Sequence, residues 1–294
     1  MDHKQFLTSL PAETKAALSG TEDRAGLRHL ILHLGLILSA AALIAAKVPL
    51  WPLLLPVQGI LIVFLFTFEH ECTHRTPFRS TALSDWGGRM AGLIILLPFE
   101  WFRYFHLAHH RFTNIEGKDP ELDAPKPATG AEWVLHVSGL PFWAANARLL
   151  IRLVREQEKA GYLPANALPR MQAEARIMLA LYACAAATLF WSPVLLWVWI
   201  IPALLGQPFL RLYLLAEHGD CPRVANMFHN TRTTLTNSVI RFLAWNMPYH
   251  AEHHVFPAVP FHKLPDLHRL MRARLQVTAD GYAAFTRAYL ARHW

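Results

Sequence analysis

Four apolar runs, joined in pairs by turns too short for anything but a reversal, set the first limit on how this chain folds. Residues 27–48 and 50–68 meet across the turn 47–52, which contains Pro52, and 177–191 and 194–216 meet across Ser192-Pro193. A helix needs about 20 predominantly apolar residues to cross a bilayer, and in lipid a helix is the simplest way to satisfy every backbone group. The pattern therefore predicts four membrane-spanning helices in two antiparallel hairpins. The third run is short for a span, so its helix is expected to begin earlier, near Glu174. Residues 91–99 are apolar but too few to cross, and read as re-entrant or interfacial.

Composition supports a membrane protein: 53% of residues are hydrophobic and only 17% charged, against about 25% charged in an ordinary soluble domain. That balance excludes disorder and collagen-like sequence. Three scattered cysteines, Cys72, Cys184 and Cys221, exclude a disulfide scaffold. Apart from Arg28 at the start of the first run, Lys47 in a turn and Arg211 in the last run, the basic residues gather in the segments outside the spans. Basic segments stay in the cytoplasm, so both termini and the long central segment are expected there, in a multi-pass protein of a bacterial inner membrane. Residues 1–26 carry no signal-peptide pattern. The net charge of +7 is accounted for by topology and anionic lipid, without nucleic acid.

One all-α domain over 1–294 is expected. Its parts are a cytoplasmic segment 1–26, a first hairpin 27–68, a helical cap 69–175, a second hairpin 176–216 and a cytoplasmic part 217–294. Trp133, Trp143, Leu149, Leu150, Arg148, Arg152 and Arg155 mix aromatics, aliphatics and cations as a membrane-surface helix does. Residues 262–275 suggest another surface helix.

The second anomaly is 17 histidines. Most fall in clusters past the predicted span ends: His70-Glu-Cys-Thr-His74, His106-Leu-Ala-His109-His110, His250-Ala-Glu-His253-His254, and His218 alone. Positions i, i+3 and i+4 share one face of a helix, so each cluster can aim its imidazoles at one point. Imidazole suits zinc, copper, iron and nickel. A zinc site is complete with four ligands, so these nine histidines are too many for one metal and suit two. Paired redox-active irons at a membrane imply oxygen chemistry on a lipid-soluble substrate, because iron can activate dioxygen and side chains alone cannot.

The three boxes resemble those of the membrane fatty-acid desaturase family, H-x(3–4)-H, H-x(2–3)-H-H and (H/Q)-x(2–3)-H-H. The likeness runs from about Thr67 to Leu267. Asn246-Met-Pro-Tyr-His-Ala-Glu-His-His254, followed by Phe256-Pro257, is similar to the family's third box, and His109-His110-Arg-Phe-Thr with Asp119-Pro120-Glu121 is similar to its second. The resemblance implies a di-iron centre ligated by His70, His74, His106, His109, His110, His218, His250, His253 and His254, with dioxygen as co-substrate. Some members bring an asparagine close through water; Asn246, one turn before His250, is a candidate by spacing only, and Leu214 stands where those members carry an asparagine one turn before the extra histidine. Asp119, Glu121 and Glu252 are candidates to orient imidazoles from behind.

The implied activity is oxygen-dependent desaturation of an acyl lipid. A lipid hydroxylase or a carotenoid ketolase or hydroxylase could use the same site. With neither a fused cytochrome b5 segment nor a four-cysteine iron–sulfur pattern, electrons are expected from a separate ferredoxin, rubredoxin-like protein or cytochrome. A rival exists in His70-Glu71-x-x-His74, which is also the zinc-protease pattern, but it leaves most box histidines without a task. A metal transporter would place its ligands mid-membrane rather than past the span ends. His29 and His33 read as interfacial or packing residues. His3, His136, His229, His262, His268 and His293 read as solvated or interfacial. Cys72 is off the His70–His74 face and is not expected to be a ligand.

Overall fold

The structure is a computed structural model and describes residues 2–294. It is mostly helical; among the described residues the one strand pairing is a parallel contact between Thr233–Thr234 and Thr278–Ala279.

Three helices are long and apolar enough to cross a bilayer: Ala12–Ala45, Trp51–His74 and Leu196–His218. In the first, the Asp23–Ala45 segment turns Gly26, His33, Ala40 and Ile44 inward, while Ile31, Leu36 and Leu38 are exposed, as a face toward lipid tails would be. His33 Nε2 bonds the Leu61 carbonyl at 2.9 Å and its Nδ1 receives the Trp245 indole N–H at 3.3 Å. The packing role expected for this histidine is thus observed. Left-handed backbone at Lys47 and Leu50 then reverses the chain.

The second helix runs past the expected residue 68 to His74, so the first box is helical. It breaks at Phe64, where the Thr67 hydroxyl donates to the Phe64 carbonyl at 2.8 Å, a side-chain insertion of the kind that kinks helices. The second and last spans touch backbone to backbone. A Cβ on Gly59 would lie 2.0 Å from the Pro202 carbonyl oxygen, so only glycine fits. Small residues allow such close crossings in membranes.

The third expected span differs. Its helix is Leu168–Thr188, starting before the expected Glu174, and it is not among the long apolar helices. Its first half holds Arg170, Glu174 and Arg176 and buries Met171, Ala175 and Met178 against Leu149, Leu150 and Leu153 of the Leu140–Val154 helix. Residues 91–99, expected to be re-entrant or interfacial, comprise the end of helix Thr81–Ile95, a left-handed Leu96 and the start of helix Phe99–Phe112. Where a surface helix is expected over 262–275, the α-helix covers Leu264–Met271 and turns Leu264, Leu267 and Met271 into the core.

The turn that leads into the last box is buried and aromatic. Trp245 is fully buried and stacks on Phe68 with ring centroids 4.6 Å apart. Left-handed backbone at Trp245 and Asn246 turns the chain, and the short helix His250–Val255 starts afresh.

Candidate metal centre

Four helix segments deliver the box histidines: Leu65–His74, Phe99–Phe112, the end of Leu196–His218, and His250–Val255. All nine predicted histidines meet, in two adjacent groups. His70, His74, His106, His110 and His253 each offer a ring nitrogen within 4.8 Å of the others, as do His109, His218 and His254. His250 joins the second group, its Nε2 lying 3.1 Å from Nε2 of both His218 and His254. The groups abut where the His110 and His254 rings stack at 4.0 Å.

Within both groups Nε2 faces Nε2: His74 and His106 at 2.9 Å, His110 and His253 at 3.1 Å, His109 and His218 at 3.1 Å. Two imidazole nitrogens bound at right angles to one ion, with bonds of about 2.1 Å as for zinc, would be about 3 Å apart. Both ring nitrogens of buried His70 have no hydrogen-bond partner among the described residues. Buried polar atoms are normally paired. The donor set and these orphaned nitrogens fit a pair of imidazole-seeking metal ions.

Outer partners hold the second group. His109 Nδ1–H reaches the Asp119 carboxylate at 2.9 Å, His218 Nδ1–H the Asn230 carbonyl at 3.1 Å, and His254 Nδ1 the Thr113 hydroxyl at 3.1 Å. Glu217 approaches His250 Nδ1 at 3.4 Å. A hydrogen bond at Nδ1 fixes the tautomer and leaves the Nε2 lone pair directed inward. Asp119 is itself fixed by the backbone N–H groups of Asn114 and Glu121, at 2.7 and 2.9 Å.

Burial pushes the pKa values of His106, His110, His250, His253 and His254 well below the ordinary histidine value, which keeps these imidazoles neutral and able to bind metal. His109 goes the other way: burial opposes its charge, but the Glu121 carboxylate and the Asp119 hydrogen bond raise its pKa. Glu121 sits 3.4 Å from His109 Nε2, on the inner side, and pairs with Lys126 at 2.9 Å.

Two expectations are corrected. Asn246 turns its amide to the Phe261 carbonyl at 3.1 Å, because the left-handed turn separates it from the helix of His250 and its spacing no longer places it one helical turn away. Glu252 bonds His268 Nδ1 and, at 2.6 Å, the Thr233 hydroxyl, so it orients a histidine outside the boxes. Glu217, Thr113 and Asn230 were not anticipated. Glu217 precedes His218 and Thr113 lies in the second box's tail, so both were within reach of the sequence; Asn230 acts through its backbone and was not. Glu71, the base the protease pattern requires, is buried and bonded to the Thr76 hydroxyl. Cys72 is buried and belongs to neither histidine group.

Residues 47–286 match the family described as fatty acid desaturase. Sphingolipid delta(4)-desaturase/C4-monooxygenase DES2 of Mus musculus is 28% identical over 201 residues, covering 67% of this chain and 58% of that protein. The sn-1 oleoyl-lipid 12-desaturase of Arthrospira platensis is 26% identical over 243 residues, covering 72% and 66%. Fatty acid conjugase FAC2 B of Calendula officinalis is 24% identical over 244 residues, covering 71% and 64%. The chain thus spans less than two thirds of the length of each of these relatives. With 47–286 covering most of its length, the chain belongs to the fatty acid desaturase family, whose members use iron.

Proposed function

We propose that this protein uses two histidine-bound irons and dioxygen to introduce a C=C bond into the chain of an acyl lipid. The observation that carries the reading is the meeting of nine buried or half-buried imidazoles in a group of five and a group of four. His70, His74, His106, His110 and His253 would hold one iron, and His109, His218, His250 and His254 the other. Bound iron would supply the electron transfer and dioxygen chemistry that side chains lack. The protein's own part is positional and electrostatic. Asp119, Thr113 and the Asn230 carbonyl hold three imidazoles with Nε2 inward. Burial keeps most of the set neutral and excludes bulk water, while Glu121, paired with Lys126, adds negative charge on the inner side to balance the metals.

The domain would cross the membrane four times in two hairpins, the Leu168–Thr188 helix supplying the third crossing, with the cap and both termini on the cytoplasmic side of a bacterial inner membrane. Electrons would come from a separate ferredoxin, rubredoxin-like protein or cytochrome. The test is mass spectrometry of total lipids from an aerobic host making this chain or its His109→Ala variant. A species short of two hydrogens in the wild-type host alone is expected. A species that gains oxygen instead would assign hydroxylation, and full turnover by His109→Ala would sink the site assignment.

A further inference from the structure

The last span carries polar groups that the metal centre leaves unused. Along Leu196–His218, residues Ala203, Gln207, Arg211 and His218 lie within one quadrant of the helix. Gln207 is fully buried, yet neither its Nε2 nor its Oε1 has a hydrogen-bond partner among the described residues. One turn closer to His218, the Nε and Nη2 atoms of Arg211 are buried and likewise unpartnered, and the guanidinium lies 4.3 Å from the Phe142 ring. The Leu140–Val154 helix adds Trp143 Nε1 and Asn146 Nδ2, both buried without partners. At its start Gly139 presses on Gln207: a Cβ there would lie 2.5 Å from Gln207 Cβ. Trp143 and Ala203 also line an apolar cavity of about 250 Å³ with Trp199, Tyr182 and Ile94.

Polar atoms buried in a protein are nearly always paired, and an ionisable side chain within a span marks a ligand path more often than a structural need. The unpaired atoms here are one-sided. Arg211 Nε and Nη2, Gln207 Nε2, Trp143 Nε1 and Asn146 Nδ2 donate, five donors against two groups able to accept, Gln207 Oε1 and the nearby ring nitrogen His136 Nε2. Such a set calls for oxygen acceptors, and Nε with Nη2 is the edge of guanidinium that takes two at once. Position narrows the ligand further. The polar cluster lies between the apolar cavity on one side and, about 10 Å along the helix, His218 on the other. A molecule that fills both sides carries its polar function between two apolar limbs.

We propose that Arg211 and Gln207 bind the carbonyl oxygens of an ester- or amide-linked two-chain lipid, one limb lying in the Trp143–Ala203 cavity and the other reaching the histidines. This rests on the reading of the protein as a lipid-oxidising enzyme and names which lipid class it takes. Its consequence is that oxidation is counted from the polar junction rather than from the methyl end.

The test uses the iron-replete full chain in detergent, with thermal stabilisation measured against three probes: 1,2-dioleoylglycerol, its di-ether counterpart lacking both carbonyls, and oleic acid. The wild type is expected to reach half-maximal stabilisation with the diester at a concentration at least tenfold below that for the diether or for oleic acid. Arg211→Met and Gln207→Leu should lose the preference for diester over diether, and Arg211→Lys should keep part of it. Iron content equal to that of the wild type identifies variants that have folded. Equal response to diester and diether in the wild type, or an unchanged preference in Arg211→Met, would overturn the assignment, and tighter binding of oleic acid would overturn its two-chain part. Because binding is read without turnover, a protein that prefers the diester but oxidises no lipid would sink the catalytic reading and leave this one standing.

Discussion

Replacing Asp119 with asparagine should loosen one metal of the pair and spare the other. Asp119 is 3% exposed and accepts from three donors: His109 Nδ1–H at 2.9 Å, and the N–H groups of Asn114 and Glu121 at 2.7 and 2.9 Å. Asparagine keeps the shape but has one acceptor oxygen, and its NH₂ must face at least one of those donors. It also removes one of the two carboxylates, after Glu121, that raise the His109 pKa, and so makes this imidazole a weaker ligand. Loss of such a partner behind a metal ligand costs about 10- to 100-fold in metal affinity, or about 1.4–2.8 kcal/mol. The five-histidine group makes no hydrogen bond to Asp119. A chelator titration of Asp119→Asn should therefore release iron in two phases, the first half at a concentration about 10- to 100-fold below the wild-type midpoint. An unchanged midpoint, or parallel release of all the iron, would refute the reasoning.

Three further outcomes follow from particular contacts. Asn246→Ala should leave iron content unchanged by metal analysis, since the amide serves the Phe261 carbonyl rather than an imidazole. Gly59→Ala forces a Cβ to within 2.0 Å of the Pro202 oxygen, and should lower stability by about 1–3 kcal/mol, the usual cost of overpacking, read as a lower unfolding midpoint in detergent. His136 is pushed down to about 4 by burial and by nearby Arg211. Between that value and the unfolded value of about 6.5 the unfolded chain binds the extra proton, so this group's effect makes stability rise with pH across that window and fall as the medium is acidified. His136→Phe should therefore lose less thermal stability than the wild type between pH 6.5 and 4.5, and an equal loss would count against the buried neutral imidazole.

Spacing alone revealed much of the site. Histidines at i, i+3 and i+4 are neighbours on a helix wherever it packs, so the convergence of His106, His109 and His110 required only that their segment be helical. His218 was legible from its place at the end of a long apolar run, and Asp119 from its carboxylate near the second box. What failed depended on backbone direction and on partners remote in sequence. Asn246 looked one turn from His250 until two left-handed residues broke that helix. Glu252 shares a box with His253 yet turns to His268 and Thr233, distant in the chain. The Leu168–Thr188 helix spends its charged first half packing on Leu149, Leu150 and Leu153. An apolar run does not reveal that division, because hydropathy does not distinguish lipid-facing from protein-facing residues.

The most direct test of the central claim is the metal content of the protein purified from aerobically grown cells, counted per chain for iron and zinc together. Two histidine groups with their nitrogens turned inward predict about two irons per chain, falling to about one or fewer in His109→Ala and in His74→Ala. One zinc per chain, or no bound transition metal at all, would contradict it.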